Sequence, residues 1–340
     1  MIQSYRPTST LIASLLLVVI LSGCSSLGSS MNASPTLLNA MGIADISMTD
    51  LERTYTDEYS KYMAINGLNI HYRDIGEGPV IVLVHGIMSS LHTWNAWSDH
   101  LEKYYRVISL DVPGYGLTGS PENLDEFDVD FLISTFTRFV SELGLKRFDL
   151  AGNSLGGLIA AHYASDYPEQ IKHLILVDPV AYPQDVPWIF NVATAPGIKN
   201  VGKYVQPPVL VTMNVKETYG DPKRISQENM ERYVHLSQRP GAREVYIKTL
   251  EMLKERSKME IPLPFHRISA PVFLIWGGKD KWVPPKMAQY WRQDIPSAIL
   301  KIYPSAGHMP MEEIPDKTIR DVLAFLNDEP VNTETTPHRH

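Results

Sequence analysis

Phe148-Asp149-Leu150-Ala151-Gly152-Asn153-Ser154-Leu155-Gly156-Gly157 joins an apolar run to a serine with glycine two positions away on either side. Phe148–Ala151 reads as a buried strand, and Leu155–Asp166 reads as a helix. Ser154 therefore sits in a tight strand-to-helix turn. Such a turn exposes the hydroxyl, and its strained backbone tolerates only small residues two positions away, which Gly152 and Gly156 supply. Gly157 lets the helix lie close to the sheet. The turn aims the Leu155 amide and the helix N-terminus at a point where an oxygen could gain negative charge. A serine hydroxyl becomes a useful nucleophile only when it is exposed, oriented and relieved of its proton by a neighbour. Ser154 is the candidate nucleophile; a purely structural glycine turn is the competing reading.

Outward from this turn the chain alternates. Tyr62–Ile65 and Leu68–Ile75 flank Asn66-Gly67, a hairpin signal, and Val80–Val84 is a Val/Ile/Leu run suited to a strand buried on both faces. Further strands are expected at Val107–Leu110, Leu174–Val177, Val272–Trp276 and Ile299–Tyr303. Helices are expected near His92–Lys103, Val129–Leu143, Pro285–Gln293 and Pro315–Leu326. This pattern predicts an α/β fold, a mostly parallel sheet covered on both faces. The alternation breaks between Tyr182 and Pro264. That stretch opens with Pro183, Pro187, Trp188 and Phe190, passes Pro207-Pro208, and turns charged and helical from Ile225 to Lys258. It is too long for a connection and too apolar for a linker, so residues 182–264 are expected to form a helical cap near the carboxyl ends of the strands. Trp188, Ile189, Phe190 and Val209–Val211 would line an apolar wall there, or else pack the cap itself.

A serine needs a base. His308 lies in Ser305-Ala306-Gly307-His308-Met309-Pro310-Met311-Glu312, between the last strand and the final helix, where small neighbours leave the imidazole free to reach across the sheet. Asp280 follows the strand Val272–Trp276, in Gly277-Gly278-Lys279-Asp280-Lys281-Trp282-Val283-Pro284. It stands between serine and histidine in chain order, as the acid should in a Ser…Asp…His arrangement. Asp178, after Leu174–Val177, is the rival acid. Leu83-Val84-His85-Gly86-Ile87 ends its strand with His-Gly, and Asp111-Val112-Pro113-Gly114-Tyr115-Gly116 follows the next one.

With these motifs in this order, the sequence from about Lys61 to Leu326 resembles the α/β-hydrolase family. The resemblance implies that the Ile87 amide, with Met88 as the alternative, joins Leu155 in an oxyanion hole, while His85 and Asp111 brace loops. It also implies acyl transfer to water. Serine at 154 departs from the haloalkane dehalogenases and epoxide hydrolases, which carry aspartate there. The leading expectation is an esterase or lipase acting on a small-molecule ester or lipid. The Gly152–Gly157 turn and Trp282-Val283-Pro284 also resemble the carbon–carbon hydrolases of ring-cleavage diketones, although Met309 rather than tryptophan follows His308. A third possibility is a non-catalytic envelope protein on a hydrolase fold.

The first residues carry a separate message. Leu11–Ser22 is an apolar run of roughly 18 Å if helical, well short of the roughly 30 Å hydrocarbon core of a bilayer. It reads as a signal-peptide core. Leu21-Ser22-Gly23-Cys24 follows and resembles the lipobox of bacterial lipoproteins, which implies cleavage after residue 23 and lipid on Cys24, the only cysteine of the chain. An accidental free thiol is the bland alternative. Residues 24–60 would then be a tether and extension, 61–328 the hydrolase domain, and 329–340 a disordered tail. The expected address is the cell envelope, held to a membrane through Cys24, and the outer membrane if the source has two membranes, given Ser25.

Composition narrows the alternatives. The chain has 340 residues, 44% hydrophobic and 20% charged, with a formal net charge of −7. That is ordinary globular material without the basic field a nucleic-acid partner requires. No Gly-x-Gly-x-x-Gly or phosphate-cradling loop is present, so no nucleotide cofactor is expected, and no metal either.

Overall fold

A computed structural model describes residues 42–333. Helix α1 (Met48–Tyr55) precedes a hairpin of β1 (Ser60–Ile65) and β2 (Leu68–Ile75). Its turn is Asn66-Gly67, both with positive φ (50° and 76°), a backbone that asparagine and glycine adopt at least cost. Then come β3 (Val80–Val84), α2 (Asn95–Leu101), β4 (Arg106–Leu110), α3 (Val129–Glu142), β5 (Phe148–Asn153), α4 (Leu155–Asp166) and β6 (Ile171–Val177). After the cap follow β7 (Val272–Gly277), α10 (Ala288–Asp294), β8 (Ile299–Tyr303), α11 (Pro310–Glu313) and α12 (Pro315–Leu326), where α5 to α9 are the cap helices given below. The eight strands form one sheet in the order β1-β2-β4-β3-β5-β6-β7-β8. β2 pairs antiparallel with β1 and β4, and every later pairing is parallel.

The continuous apolar strands are explained by two cores. In β3, Ile81 and Leu83 point into one cluster with Trp97, Ile319 and Phe325, while Val82 and Val84 point into the other with Phe136, Phe139 and Leu158. These four residues are fully buried, which is why the strand is apolar on both faces from Ile81 to Val84. Helices α3, α4 and α10 cover one face, and α2 and α12 the other.

Between β6 and β7 the cap consists of α5 (Trp188–Ala193), α6 (Pro196–Gly202), α7 (Pro208–Thr218), α8 (Gln227–Ser237) and α9 (Ala242–Arg256). The expected continuous helical stretch from Ile225 is broken at Pro240-Gly241, where Gly241 takes φ 77°. Prolines open α6 and α7 at their first turns, where a missing N–H costs nothing.

The globular unit begins upstream of the expected boundary at Lys61. Leu51 of α1 is buried against Leu117 and Leu236, Ile46 N–H donates to Gln238 O at 2.9 Å, and Arg243 pairs with Asp45 at 2.6 Å. Leu51 is the one buried residue of α1, with Ile46, Met48 and Tyr55 partly buried around it, and so the periodicity of this segment in the sequence is faint. Cys24 and the leader lie outside the described residues, as do residues 334–340 of the expected tail. Among the described residues no helix is long and apolar enough to cross a membrane.

Candidate active site

Ser154 has φ 53° and ψ −117°, a strained backbone for a residue with a side chain. The neighbours enforce it. A Cβ on Gly152 would lie 2.3 Å from Gly156 O, and one on Gly156 would lie 2.2 Å from Val84 O, so each glycine lets another backbone pass where no methyl fits. The Ser154 amide donates to Val177 O at 3.0 Å, pinning the turn to β6.

His308 arrives from the far edge of the sheet. Its Nδ1 lies 2.7 Å from Asp280 Oδ2, and Asp280 Oδ1 accepts from the amides of Trp282 (2.7 Å) and Val283 (3.0 Å). Those two amides tie the carboxylate to its own loop, and the Nδ1 bond turns the other ring nitrogen outward. Trp282 stacks along the imidazole, with ring centroids 6.1 Å apart and planes at 22°. The His308 amide donates to Thr218 O of the cap at 2.6 Å, and Asn153 Nδ2 donates to His308 O at 3.3 Å. Glu313 clasps the same loop. Its carboxylate accepts from the amides of Gly307 (2.7 Å), Gly220 (2.9 Å) and Asp221 (2.9 Å), and Arg224 pairs with it at 3.0 Å. Glu312 beside it accepts from Tyr233 (2.7 Å) and Tyr219 (3.0 Å) and pairs with Arg232. The histidine loop is therefore fastened to the cap at several points.

Asp178, the rival acid, lies in the same place. A carboxylate oxygen of Asp178, one of Asp280 and a ring nitrogen of His308 all fall within 4.8 Å of one another. It is Asp280 that holds the imidazole, whereas Asp178 Oδ1 accepts from the Gly277 amide at 2.9 Å and its Oδ2 is buried with no partner. Burial, and then the charge of Asp280, push the Asp178 carboxyl well above the usual carboxylate range, which favours its protonated form. Two carboxylates and an imidazole are also a donor set for a divalent cation. Here the oxygens of Asp280 are spent on N–H donors, which leaves such an ion few free lone pairs.

The His85-Gly86 loop touches the turn, since a Cβ on Gly86 would lie 2.9 Å from Ser154 Cβ. His85 accepts from the Val112 amide at Nε2 (3.0 Å), so Nδ1 carries the proton and donates to Gly86 O at 2.7 Å. Burial pushes His85 below the ordinary imidazole range and keeps it neutral. Asp111 accepts from Leu91 N (2.7 Å), Leu117 N (2.8 Å) and His71 (2.7 Å). Burial works against its charge, but His71 holds it down at about 2. These two residues brace loops. The Ile87 amide makes no backbone hydrogen bond, Leu155 is the first residue of α4, and Met88 carries φ 54°. Helix-leading amides have no partner within the helix, so both Leu155 and Ile87 are available to an anion.

Two cavities meet at this point, of about 500 and 580 Å³ including space open to solvent, and Ile87, Ser154, Trp282 and His308 line both. One runs under Val180–Phe190 and Leu253–Ser257, the other under Val211–Val215, Tyr233 and Tyr246. Of the residues expected to form one apolar wall, Phe190 lines the first cavity and Val211 the second. Trp188 and Val209 line neither, being 44% and 61% exposed on the outer side of the cap. Glu313 and Asn153 left no mark in the sequence as supports of the His308 loop because they bond backbone groups brought together by folding, and Trp282 supports the ring by stacking on it.

The model of the "Alpha/beta hydrolase family" matches residues 81–321. The chain is 27% identical to 2-hydroxy-6-oxo-6-phenylhexa-2,4-dienoate hydrolase of Burkholderia cepacia over 291 residues, covering 82% of this chain and 99% of that protein. It is 25% identical to epoxide hydrolase 4 of Mus musculus over 283 residues, 78% of either chain. Among solved structures, a membrane phospholipase A described as a bacterial virulence factor superposes with a TM-score of 0.68 and 25% identity, covering 94% of this chain and 98% of that one. The eight-stranded sheet, the glycine-flanked serine turn and the matched span together make this chain a member of the alpha/beta hydrolase family.

Proposed function

We propose that the protein is a serine hydrolase that cleaves carboxylic esters through an acyl-enzyme on Ser154. The carrying observation is the 2.7 Å contact between His308 Nδ1 and Asp280 at the junction of two cavities that Ser154 also lines. An acid on Nδ1 fixes the imidazole tautomer and steadies the imidazolium without taking the proton. Ser154 Oγ attacks the ester carbonyl while His308 Nε2 takes its proton. The carbonyl oxygen becomes an anion, held by the amides of Leu155 and Ile87, with Met88 as the alternative to Ile87. The intermediate collapses, and the alcohol leaves with the proton from His308. Water then yields a proton to His308, attacks the acyl carbon, and releases the acid and Ser154.

Two cavities on either side of one serine suit an ester with a substantial acyl arm and a substantial alcohol arm. Similarity to a membrane phospholipase A over nearly the whole chain supports a lipid-like ester. We place the protein at the cell envelope with lipid on Cys24, supported by the apolar run and Leu21-Ser22-Gly23-Cys24. The second reading, hydrolysis of a carbon–carbon bond in a ring-cleavage diketone, is favoured by the similarity to the dienoate hydrolase along its full length. Both readings use the same three residues. A panel of p-nitrophenyl esters of graded chain length, run beside a ring-cleavage dienoate, separates them. Ester turnover is expected, lowered roughly 10⁴-fold or more in a folded Ser154→Ala protein. Dienoate cleavage with no ester cleavage would establish the second reading instead.

A further inference from the structure

Arg256 ends helix α9 and lines the 500 Å³ cavity together with Ser154, Phe190 and Leu253. Its Nε–H is buried without an acceptor, and the guanidinium has no ion pair or hydrogen bond among the described residues. Arg73, Arg239 and Arg243 also carry a buried Nε–H without an acceptor, but their terminal nitrogens are engaged, Arg73 with Asn95 and Asp57. Arg232 pairs with Glu312, Arg243 with Asp45 and the Ala44 carbonyl, and Arg239 donates to the carbonyls of Gly114 and Pro240. Burial pulls Arg256 below the usual guanidinium range, with Asp130 the opposing acid but not within ion-pair reach. Its charge is felt nearby: burial, and then Arg256, push His162 below the ordinary imidazole range. A half-buried cation facing apolar side chains is costly to keep unless something negative comes to it.

We propose that Arg256 makes this cavity a subsite for an anionic group, a carboxylate or a phosphate, on one arm of the substrate. The inference rests on Ser154 acting in the same cavity, because the arm that reaches Arg256 must leave its scissile carbonyl at the serine. The side walls, Val180, Val186, Phe190 and Leu253, would hold an apolar spacer between the two. The fork of N–H donors suits either oxyanion, and low dielectric in an apolar cavity strengthens the contact. The charged end therefore selects among esters that the serine itself would treat alike.

The test compares pairs of anionic and neutral esters with the full-length protein and its Arg256→Gln and Arg256→Lys variants. Mono-p-nitrophenyl adipate against p-nitrophenyl hexanoate puts a carboxylate on the acyl arm. 1-Hexanoylglycerol 3-phosphate against 1-hexanoylglycerol puts a phosphate on the alcohol arm. For at least one pair, kcat/KM should favour the anionic ester by roughly 10- to 100-fold, as for a charge-assisted hydrogen bond. That ratio should collapse toward one in Arg256→Gln and be partly restored in Arg256→Lys, with thermal midpoints confirming that both variants fold. A second readout needs no turnover: calorimetric binding of monomethyl adipate against methyl hexanoate to the Ser154→Ala protein, with and without Arg256→Gln. Neutral and anionic esters hydrolysed alike, or a preference surviving in Arg256→Gln, would overturn the subsite alone. A binding preference that depends on Arg256, with no ester cleaved, would keep the subsite and remove the ester reading.

Discussion

Asp178 and Asp280 close neighbouring parallel strands, and both reach the imidazole of His308. The sequence favoured Asp280 and kept Asp178 as the rival, and the decision lies in which carboxylate meets Nδ1 and which meets a backbone amide. Asp280 does the first and Asp178 the second. Asp280→Asn should thus favour the wrong tautomer and remove the charge that steadies the imidazolium, lowering kcat by roughly 10²- to 10⁴-fold. Asp178→Asn should cost less than about tenfold, since the amide oxygen can still accept from the Gly277 N–H. The same pair gives a pH signature. Above the ordinary value of 3.8 the unfolded chain releases the Asp178 proton, while the folded protein retains it. Stability from this group is complete below that value and is lost as pH rises toward the elevated folded pKa. Asp178→Asn lacks the penalty, so its thermal midpoint should gain on the wild type as pH rises above the ordinary carboxylate value. A constant gap would mean Asp178 is ionised in the folded state.

The strand-turn-helix from Phe148 to Asp166 was legible residue by residue, because glycine spacing and a buried apolar run leave few other structures for it. The same is true of the Asn66-Gly67 hairpin and of α12, which matches its expected span from Pro315 to Leu326. Elements held by tertiary contact were harder to read. The cap helices are short, interrupted by proline, and show which side faces the site only once packed, which is why Trp188 and Val209 turned outward. The histidine loop is the clearest case: its position depends on Glu313, whose carboxylate gathers amides from Gly220, Asp221 and Gly307. Glu313→Ala leaves these donors without their acceptor and should lower stability on the order of 3 kcal/mol. It should also reduce kcat more than it raises KM, because the base is loosened and the cavities are not. Chemical denaturation and steady-state kinetics on one preparation read both effects. An unchanged kcat would show that the loop holds His308 without the glutamate.

At the scale of the molecule, one sheet with two cores sets a rigid floor, and the cap roofs the junction where Ser154, His308 and both cavities meet. The segment from Gly42 to Tyr55 crosses from core to cap: Leu51 packs between Leu117 and Leu236, and the Tyr55 hydroxyl meets His235 Nδ1 at 2.9 Å. Upstream lies Cys24, proposed to carry lipid. Several acyl chains, at about 0.8 kcal/mol per buried methylene, would anchor the protein stably where one chain is marginal. Cys24→Ala should abolish labelling by a palmitate analogue and release the protein from membranes, and an unchanged signal would place any anchor elsewhere. The central claim, that Ser154 is an activated nucleophile, has a more direct test: a fluorophosphonate probe with the adduct mapped by peptide mass. A single adduct on Ser154 is expected in the wild type and none in Ser154→Ala. Labelling that persists in the alanine protein, or maps to another serine, would contradict it.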